Sequence, residues 1–299
     1  SKAPLKDLYL IKLFSVIFDY ALALSMARAA GLFAGEKAKV PTLLIVLTLP
    51  TVLINGACWG QCDAVYVVFI VMSLCDMKTR KPVRAAAMLA IAFAFKLQTI
   101  FFFPIVLLGL IHGEYKPKHA LVFALAYLAT TVPALIAGRS LGDALSVYVN
   151  QSVGQYYDRL TYNAPSFFAL MNTTGLDVYA YGHFGMALAF GVCALLVSAG
   201  VKRAGRMTRA GYLCLALLLP LAIVFFLPRM HERYFYLADI LSVALAAYDK
   251  KAAPVCALAV FASFSCYWET LFSLPVCALM MLAALILTLR HTQRDENVI

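Results

Sequence analysis

Long apolar runs recur from one end of the 299-residue chain to the other, and short basic segments separate them. Hydrophobic residues make up 63% of the chain, whereas charged residues make up only 13%. A water-soluble domain of this size needs far more polar residues to cover its surface. The sequence therefore predicts a polytopic membrane protein whose apolar surface is covered by lipid.

The basic residues predict which loops face the cytoplasm. The net charge of +10 comes from short clusters between apolar runs, such as residues 76–84 and 112–119. Because short cytoplasmic loops are enriched in Lys and Arg, this pattern indicates topology rather than nucleic-acid binding. Eleven spans satisfy it: about 8–33, 41–56, 63–76, two short arms within 83–111 that turn at Lys96, 119–137, 180–200, 211–227, 235–248, 253–267 and 271–289.

The predicted fold class is an all-α transmembrane helical bundle, with several short spans, formed by one domain of residues 1–299. Residues 138–179 lack the basic bias of an inner loop, so we expect an extracytoplasmic loop with one or two amphipathic surface helices. The C-terminus is expected in the cytoplasm. Since the span count is odd, Ser1 would lie outside, which predicts a further span upstream of this sequence.

Three polar stretches lie at the predicted outer ends of spans, namely WGQCD (59–63), FKLQ (95–98) and PRMHERY (228–234). Ionisable groups at this depth are costly unless they are paired or line a cavity, which favours a functional interpretation. The alternative is membrane anchoring by snorkelling cations and interfacial aromatic residues. Lys96, Arg229 and Arg233 supply the cationic donors that suit a lipid phosphate.

Cofactor signals are weak. Most of the eight cysteines lie inside apolar runs, where a thiol behaves as a small hydrophobic side chain. Cys58 and Cys62 could pair or bind a metal, but no histidine accompanies them at ligand spacing. No nucleotide-binding loop or zinc-protease motif is present in the sequence. We therefore predict no cofactor and no metal ligand, although a divalent metal stays open without a motif to support it.

The three stretches resemble motifs of the GT-C superfamily of integral-membrane glycosyltransferases, particularly the bacterial relatives of the glycosylphosphatidylinositol mannosyltransferases. In order, WGQCD resembles W-G-Q-x-D, FKLQTIFFFP resembles K-x-Q-x-I-x-x-x-P, and PRMHERYFY resembles P-x-M-H-E-R-Y-x-Y. The resemblance implies an enzyme in the bacterial plasma membrane. It would transfer a mannose-like hexose from a polyprenyl-phosphate donor to a glycan or lipid-linked acceptor on the extracytoplasmic face.

Such enzymes place a catalytic acid in the loop after the first span, which here would precede Ser1. Glu232 and Asp63 are therefore the predicted catalytic residues, with Asp158 as a further substitute. We expect inverting displacement at the anomeric carbon, with the lipid phosphate as leaving group. The predicted substrate-binding residues are Trp59, Gln61, Lys96, Gln98, Arg229, His231, Arg233 and Tyr234.

Two other functions stay open at this point. A transporter or lipid flippase for an anionic or glycosylated lipid also uses interrupted spans with embedded charges. Such proteins often contain internal repeats and charges in both halves of the bilayer, whereas this sequence has no convincing repeat and a one-sided polar cluster. A membrane scaffold without catalytic activity is the third possibility.

Overall fold

The computed structural model describes residues 3–152, 158–171, 173–202, 208–268 and 271–294. Almost all secondary structure in these ranges is helical, which confirms the predicted all-α class. The exception is a parallel pair of two-residue strands, β1 (Thr161–Tyr162) and β2 (Met230–His231). Short 3₁₀ segments at Leu97–Phe102, Phe167–Leu170 and Glu232–Phe235, and a π-helical turn at Ile54–Cys58, occur beside the longer helices.

The described ranges contain fourteen α-helices. The first seven are α1 (Ala3–Ala34), α2 (Lys39–Thr48), α3 (Pro50–Leu53), α4 (Asp63–Lys78), α5 (Pro82–Phe95), α6 (Phe103–Ile111) and α7 (Lys118–Ile136). The other seven are α8 (Leu141–Leu145), α9 (Val147–Ser152), α10 (Val178–Lys202), α11 (Arg209–Phe226), α12 (Tyr236–Tyr248), α13 (Ala253–Trp268) and α14 (Leu274–Arg294).

Among the described residues, five helices are long and apolar enough to cross a membrane. They are α1, α7, α10, α14, and α13 together with the short segment that begins at Lys250. The α2–α3 pair is a sixth if its 48° bend belongs to one broken span. α7 and α10 leave large apolar side chains exposed, including Ile136, Phe190 and Leu195. Since lipid covers such surfaces in a membrane protein, these helices support the predicted membrane setting. The count of eleven spans stays a prediction.

The stretch 83–111 is broken at Lys96, where the sequence predicts a turn. Lys96 has an extended backbone, with φ −154° and ψ 130°, between α5 and the 3₁₀ segment that leads to α6. Its ammonium contacts Asp63 at the start of α4. In contrast, a Cβ on Gly109 of α6 would lie 3.0 Å from Met77 Cε near the end of α4. α5 and α6 therefore run in opposite directions along α4, as predicted.

The helices on either side of residues 227–235 form the centre of the hydrophobic core. Almost every side chain from Tyr212 to Ala222 in α11, and from Tyr236 to Leu245 in α12, is buried. They pack against α1, α10, α13 and α14. Because both helices are buried on all sides, they are stable only when other helices surround them. The polar segment that joins them is consequently anchored at both ends in the hydrophobic core.

The loop 138–179 begins with two short helices, α8 and α9. Their expected position on the extracytoplasmic surface stays a prediction. The Ser140 hydroxyl accepts a hydrogen bond from Asp143 N (3.0 Å) and so caps α8. Tyr148 of α9 donates to the carbonyl of Phe93 (2.5 Å), which docks α9 on the end of α5. Residues 153–157 and 172 lie outside the described residues. The rest of the loop contains β1 and a 3₁₀ turn.

Candidate functional site

The segment between α11 and α12 leaves helical geometry at a proline. Leu227 is extended, with ψ 138°, because Pro228 disfavours a helical conformation in the residue before it. Arg229 follows in the left-handed region, at φ 64°. This sharp change of direction lets β2 pair with β1, and Arg229 N donates to the carbonyl of Leu160 (2.7 Å). The strand pair thus joins the loop 138–179 to the junction between two buried helices.

Aromatic rings around His231 connect the two strands. Tyr162 pairs with His231 in the strand register, and their rings stack with centroids 5.0 Å apart and an interplanar angle of 16°. The ring of Tyr234 approaches His231 edge-on at 5.3 Å. The Gln98 side chain lies close to the Tyr234 hydroxyl. These contacts bring 3₁₀ segments from two separate parts of the chain together.

Burial lowers the pKa of His231 below its ordinary value, and the neighbouring Arg233 and Lys96 cations lower it further. At neutral pH the imidazole is therefore uncharged, since burial and the two neighbouring cations all disfavour its protonated form. Burial also raises the pKa of the Tyr234 hydroxyl, which keeps it protonated. The centre of the cluster thus consists of neutral hydrogen-bonding groups, with cations around them.

Arg233 and Arg229 lie on different sides of this aromatic centre. The Arg233 guanidinium lies 5.9 Å from the Tyr234 ring centroid, and its Nε is buried without a hydrogen-bond partner among the described residues. The Arg229 guanidinium lies 5.5 Å from the Tyr179 ring, close to Gly182 of α10, and it also acts electrostatically on Tyr162. Both arginines therefore border the Tyr162–His231 stack.

Lys96 forms an ion pair with Asp63, whose carboxylate is almost completely buried. The second oxygen of Asp63 accepts a hydrogen bond from Asn55 Nδ2 (2.9 Å), and the same amide lies 3.1 Å from Tyr267 OH. The Lys96 ammonium also lies 5.9 Å from the Tyr66 ring centroid. Both oxygens of Asp63 are therefore engaged, as a buried carboxylate requires. Its predicted role as a base would need this ion pair to open.

The remaining predicted site residues border the same region. Trp59 packs against Tyr267 with ring centroids 5.0 Å apart. Glu232 is buried and acts electrostatically on both Tyr234 and Tyr267. The backbone N–H of Gln61 donates to the carbonyl of Asn55 (2.8 Å), which fixes the turn that precedes α4. The structure thus joins the three polar stretches of the sequence through direct contacts.

Asp158 occupies a different place from the other candidate acids. Its carboxylate is exposed, accepts a hydrogen bond from Tyr162 OH (3.0 Å) and lies 3.6 Å from Arg159 Nε. Cys58 and Cys62 are both free thiols, so the disulfide considered from the sequence is absent from the structure. Among the described residues no three His, Cys, Asp or Glu side chains lie close enough together to hold a metal ion.

Sequence reasoning missed residues that connect the site. Asn55 and Tyr267 link Asp63 to α13, and Tyr162 supplies the ring that stacks on His231. Asn55 carried a usable signal, because an amide inside an apolar run must find a partner. Tyr162 and Tyr267 carried none, since tyrosine is common at membrane interfaces.

A comparison with protein-family models finds no match, and a search of curated proteins finds no significant similarity. The GT-C resemblance of the three stretches therefore rests on those residues alone.

Proposed function

We propose that this chain is an integral-membrane glycosyltransferase of the GT-C type. It transfers a hexose from a polyprenyl-phosphate donor to a glycan or lipid-linked acceptor on the extracytoplasmic face of a bacterial plasma membrane. The observation that carries the proposal is the cluster around the Tyr162–His231 stack, which three cations border: Lys96, Arg229 and Arg233.

The cluster has the chemistry that a lipid phosphate requires. The Arg233 Nε is buried without a partner among the described residues, and a buried donor left in this state costs roughly 1–3 kcal/mol. A phosphate oxygen removes that cost and matches the planar guanidinium fork. Lys96 is already neutralised by Asp63, so it shapes the site more than it adds charge. The arginines are consequently the principal phosphate ligands.

The proposed reaction is a single inverting displacement. An acceptor hydroxyl attacks the anomeric carbon, the bond from that carbon to the phosphate oxygen breaks, and the polyprenyl phosphate leaves with the bonding electrons. Arg229 and Arg233 stabilise the charge that develops on the phosphate. Glu232, in the 3₁₀ segment that also carries Arg233, takes the proton of the acceptor hydroxyl. The other predicted acid, Asp63, contacts Lys96 and Asn55 through its two oxygens.

The neutral groups of the cluster bind and orient the sugar. Tyr234 and Gln98 lie close together, and their polar groups suit sugar hydroxyls. Uncharged His231 can donate or accept a hydrogen bond without repelling the arginines. Trp59 and Gln61 border the region where the sugar enters from the α3–α4 turn.

The decisive experiment is the Arg233→Ala variant in nanodiscs with radiolabelled polyprenyl-phosphate mannose and a lipid extract as acceptor. We expect at least about a 100-fold loss of transfer, the usual effect of removing one donor to a developing charge. Arg139→Ala, at an exposed arginine outside the cluster, is the matched control and should retain activity. Equal activity of the Arg233→Ala and unmodified proteins would contradict the proposal.

One observation favours a second function. The α2–α3 pair bends by 48°, and the turn after it carries Asn55 next to buried Asp63. Interrupted spans of this kind form substrate sites in transporters and lipid flippases. A flippase would move a fluorescent polyprenyl-phosphate sugar across proteoliposomes without any acceptor, whereas a transferase would leave it in its original leaflet.

A further inference from the structure

A cavity of about 410 Å³ adjoins the candidate site and is lined by none of the predicted site residues. The segment around β1, the end of α13 and the start of α14 contribute its walls. Its volume falls within the range of about 300–1,000 Å³ that is usual for small-molecule sites. The lining residues are Arg159, Thr161, Asn163, Ser265, Cys266, Phe272, Ser273 and Leu274.

Segment 161–163 borders both this cavity and the cation cluster, with Thr161 and Tyr162 in β1 and Asn163 in the left-handed region at φ 57°. Thr161 and Asn163 line the cavity, whereas Tyr162 between them stacks on His231. Successive side chains of a strand point to opposite faces, so Thr161 and Tyr162 contact different sites, and the left-handed turn at Asn163 directs the chain along the cavity. Asn163 also donates from Nδ2 to the carbonyl of Cys266 (2.5 Å), which fixes the segment against α13.

The cavity differs from the cluster in charge. Arg159 is the one charged residue among the lining residues, and it is paired with Asp158 at 3.6 Å. The other polar lining groups are hydroxyls, an amide and a thiol. The Ser273 hydroxyl is exposed and has no hydrogen-bond partner among the described residues, and the exposed Phe272 ring lies next to it in the chain. Hydroxyl and amide groups beside an aromatic ring suit a neutral polyhydroxyl ligand rather than an anion.

Glu232 connects the two regions. It acts electrostatically on Tyr234 in the cluster and on Cys266 in the cavity wall. In an inverting displacement the base lies beside the acceptor hydroxyl, on the opposite face of the anomeric carbon from the leaving phosphate. The electrostatic influence of Glu232 on the cavity wall favours an acceptor hydroxyl that is presented from the cavity.

We propose that this cavity binds a neutral sugar residue of the acceptor, with a hydrogen bond from Ser273 and stacking on Phe272, while Thr161 and Asn163 form the opposite wall. This inference rests on the proposed transferase function, which it extends by assigning the acceptor a carbohydrate end and a place. The donor phosphate then binds on one side of segment 161–163 and the acceptor sugar on the other.

The test measures occupancy of the cavity without transfer. Ser273→Cys, in a background with Cys58 and Cys62 replaced by serine, is labelled with a membrane-impermeant maleimide. The probes are methyl glycosides of mannose, glucose, galactose and N-acetylglucosamine, with inorganic phosphate as the anionic comparison. Ala137→Cys, at an exposed position after α7, is the control thiol. We expect at least one glycoside to slow labelling of Ser273→Cys by about 3-fold or more and to leave Ala137→Cys unchanged, as a weak one-sugar site would.

The inference is overturned if no glycoside protects the thiol, or if phosphate protects it equally well. A second variant, Ser273→Ala, removes one hydroxyl that has no structural partner and should raise the acceptor KM by about 3–10-fold, with kcat unchanged. Protection without any transfer would support the sugar cavity and reject the transferase. Transfer with no protection and an unchanged acceptor KM would reject the cavity alone.

Discussion

Lys96 and Asp63 form an ion pair that joins the extended residue after α5 to the first residue of α4. The Asp63 carboxylate is 1% exposed and the Lys96 side chain is 20% exposed. The ion pair therefore links the helix break at Lys96 to the turn that precedes α4. This pair holds the 3₁₀ segment with Gln98 beside Tyr234.

Removing one charge of this pair should destabilise the protein more than removing both charges. Lys96→Met leaves the Asp63 charge buried and unpaired, which costs about 3–5 kcal/mol. Lys96→Met combined with Asp63→Asn removes both charges and should recover most of this loss. Thermal unfolding in detergent measures the difference between the single and double variants.

The exposed pair of Lys39 and Glu36, 2.7 Å apart, provides the comparison. Lys39→Met should change the stability by no more than about 1 kcal/mol, because water screens exposed pairs. A Lys96→Met variant as stable as Lys39→Met would contradict the buried ion pair.

The stability should also depend on pH through His231. Its native pKa lies below the ordinary value of 6.5, chiefly because it is buried. Below pH 6.5 the unfolded chain therefore binds the proton before the native protein does, so this contribution to stability is complete above pH 6.5 and is lost as the pH falls. His231→Gln should abolish this part of the pH dependence of the melting temperature. An identical decrease in both proteins would contradict the assignment to His231.

The break at Lys96 could be predicted from the distribution of basic residues along the sequence. Basic clusters on both sides of residues 83–111 require the chain to return to the same side, and the structure reverses there. The pairing of Lys96 with Asp63 could not be predicted, since 33 positions separate the two residues and no local rule relates them. Long-range pairing depends on how helices pack, which apolar composition does not specify.

The strand pair could not be predicted from the sequence either. β1 and β2 are two residues each, too short for an alternating pattern to appear. The stack of Tyr162 on His231 follows from their register across a separation of 69 positions. The arginines, the histidine and the glutamate of segment 229–233 were predicted as a site because ionisable residues between apolar runs are costly without a function.

Two glycines on α10 should respond oppositely to the same substitution. A Cβ on Gly185 would lie 2.5 Å from Phe168 Cζ and 3.2 Å from Pro228 Cδ, whereas Gly191 has open space around it. Gly185→Ala should therefore destabilise the protein by about 1–3 kcal/mol through overpacking. Gly191→Ala should stabilise it by about 0.4–1 kcal/mol, because alanine restricts the unfolded chain.

Thermal unfolding of both glycine variants tests the contact between α10 and the 167–170 turn. The Gly185 site also lies against the proline that precedes Arg229, so Gly185→Ala should reduce transfer as well as stability. If both variants changed the melting temperature in the same direction, the close approach of α10 to Phe168 would be wrong.

The predicted topology places Lys81 in the cytoplasm and Ala137 outside, with α7 crossing between the two sides. α7 has 19 residues, so it spans about 28 Å at 1.5 Å per residue, close to the hydrocarbon thickness. Both positions are exposed. In a background with Cys58 and Cys62 replaced by serine, Ala137→Cys should react with an impermeant maleimide in right-side-out vesicles and Lys81→Cys only in inverted ones. Labelling of both variants from one side would contradict the span at α7. The reverse pattern would place the candidate site on the cytoplasmic face, where a nucleotide sugar could replace the lipid-linked donor.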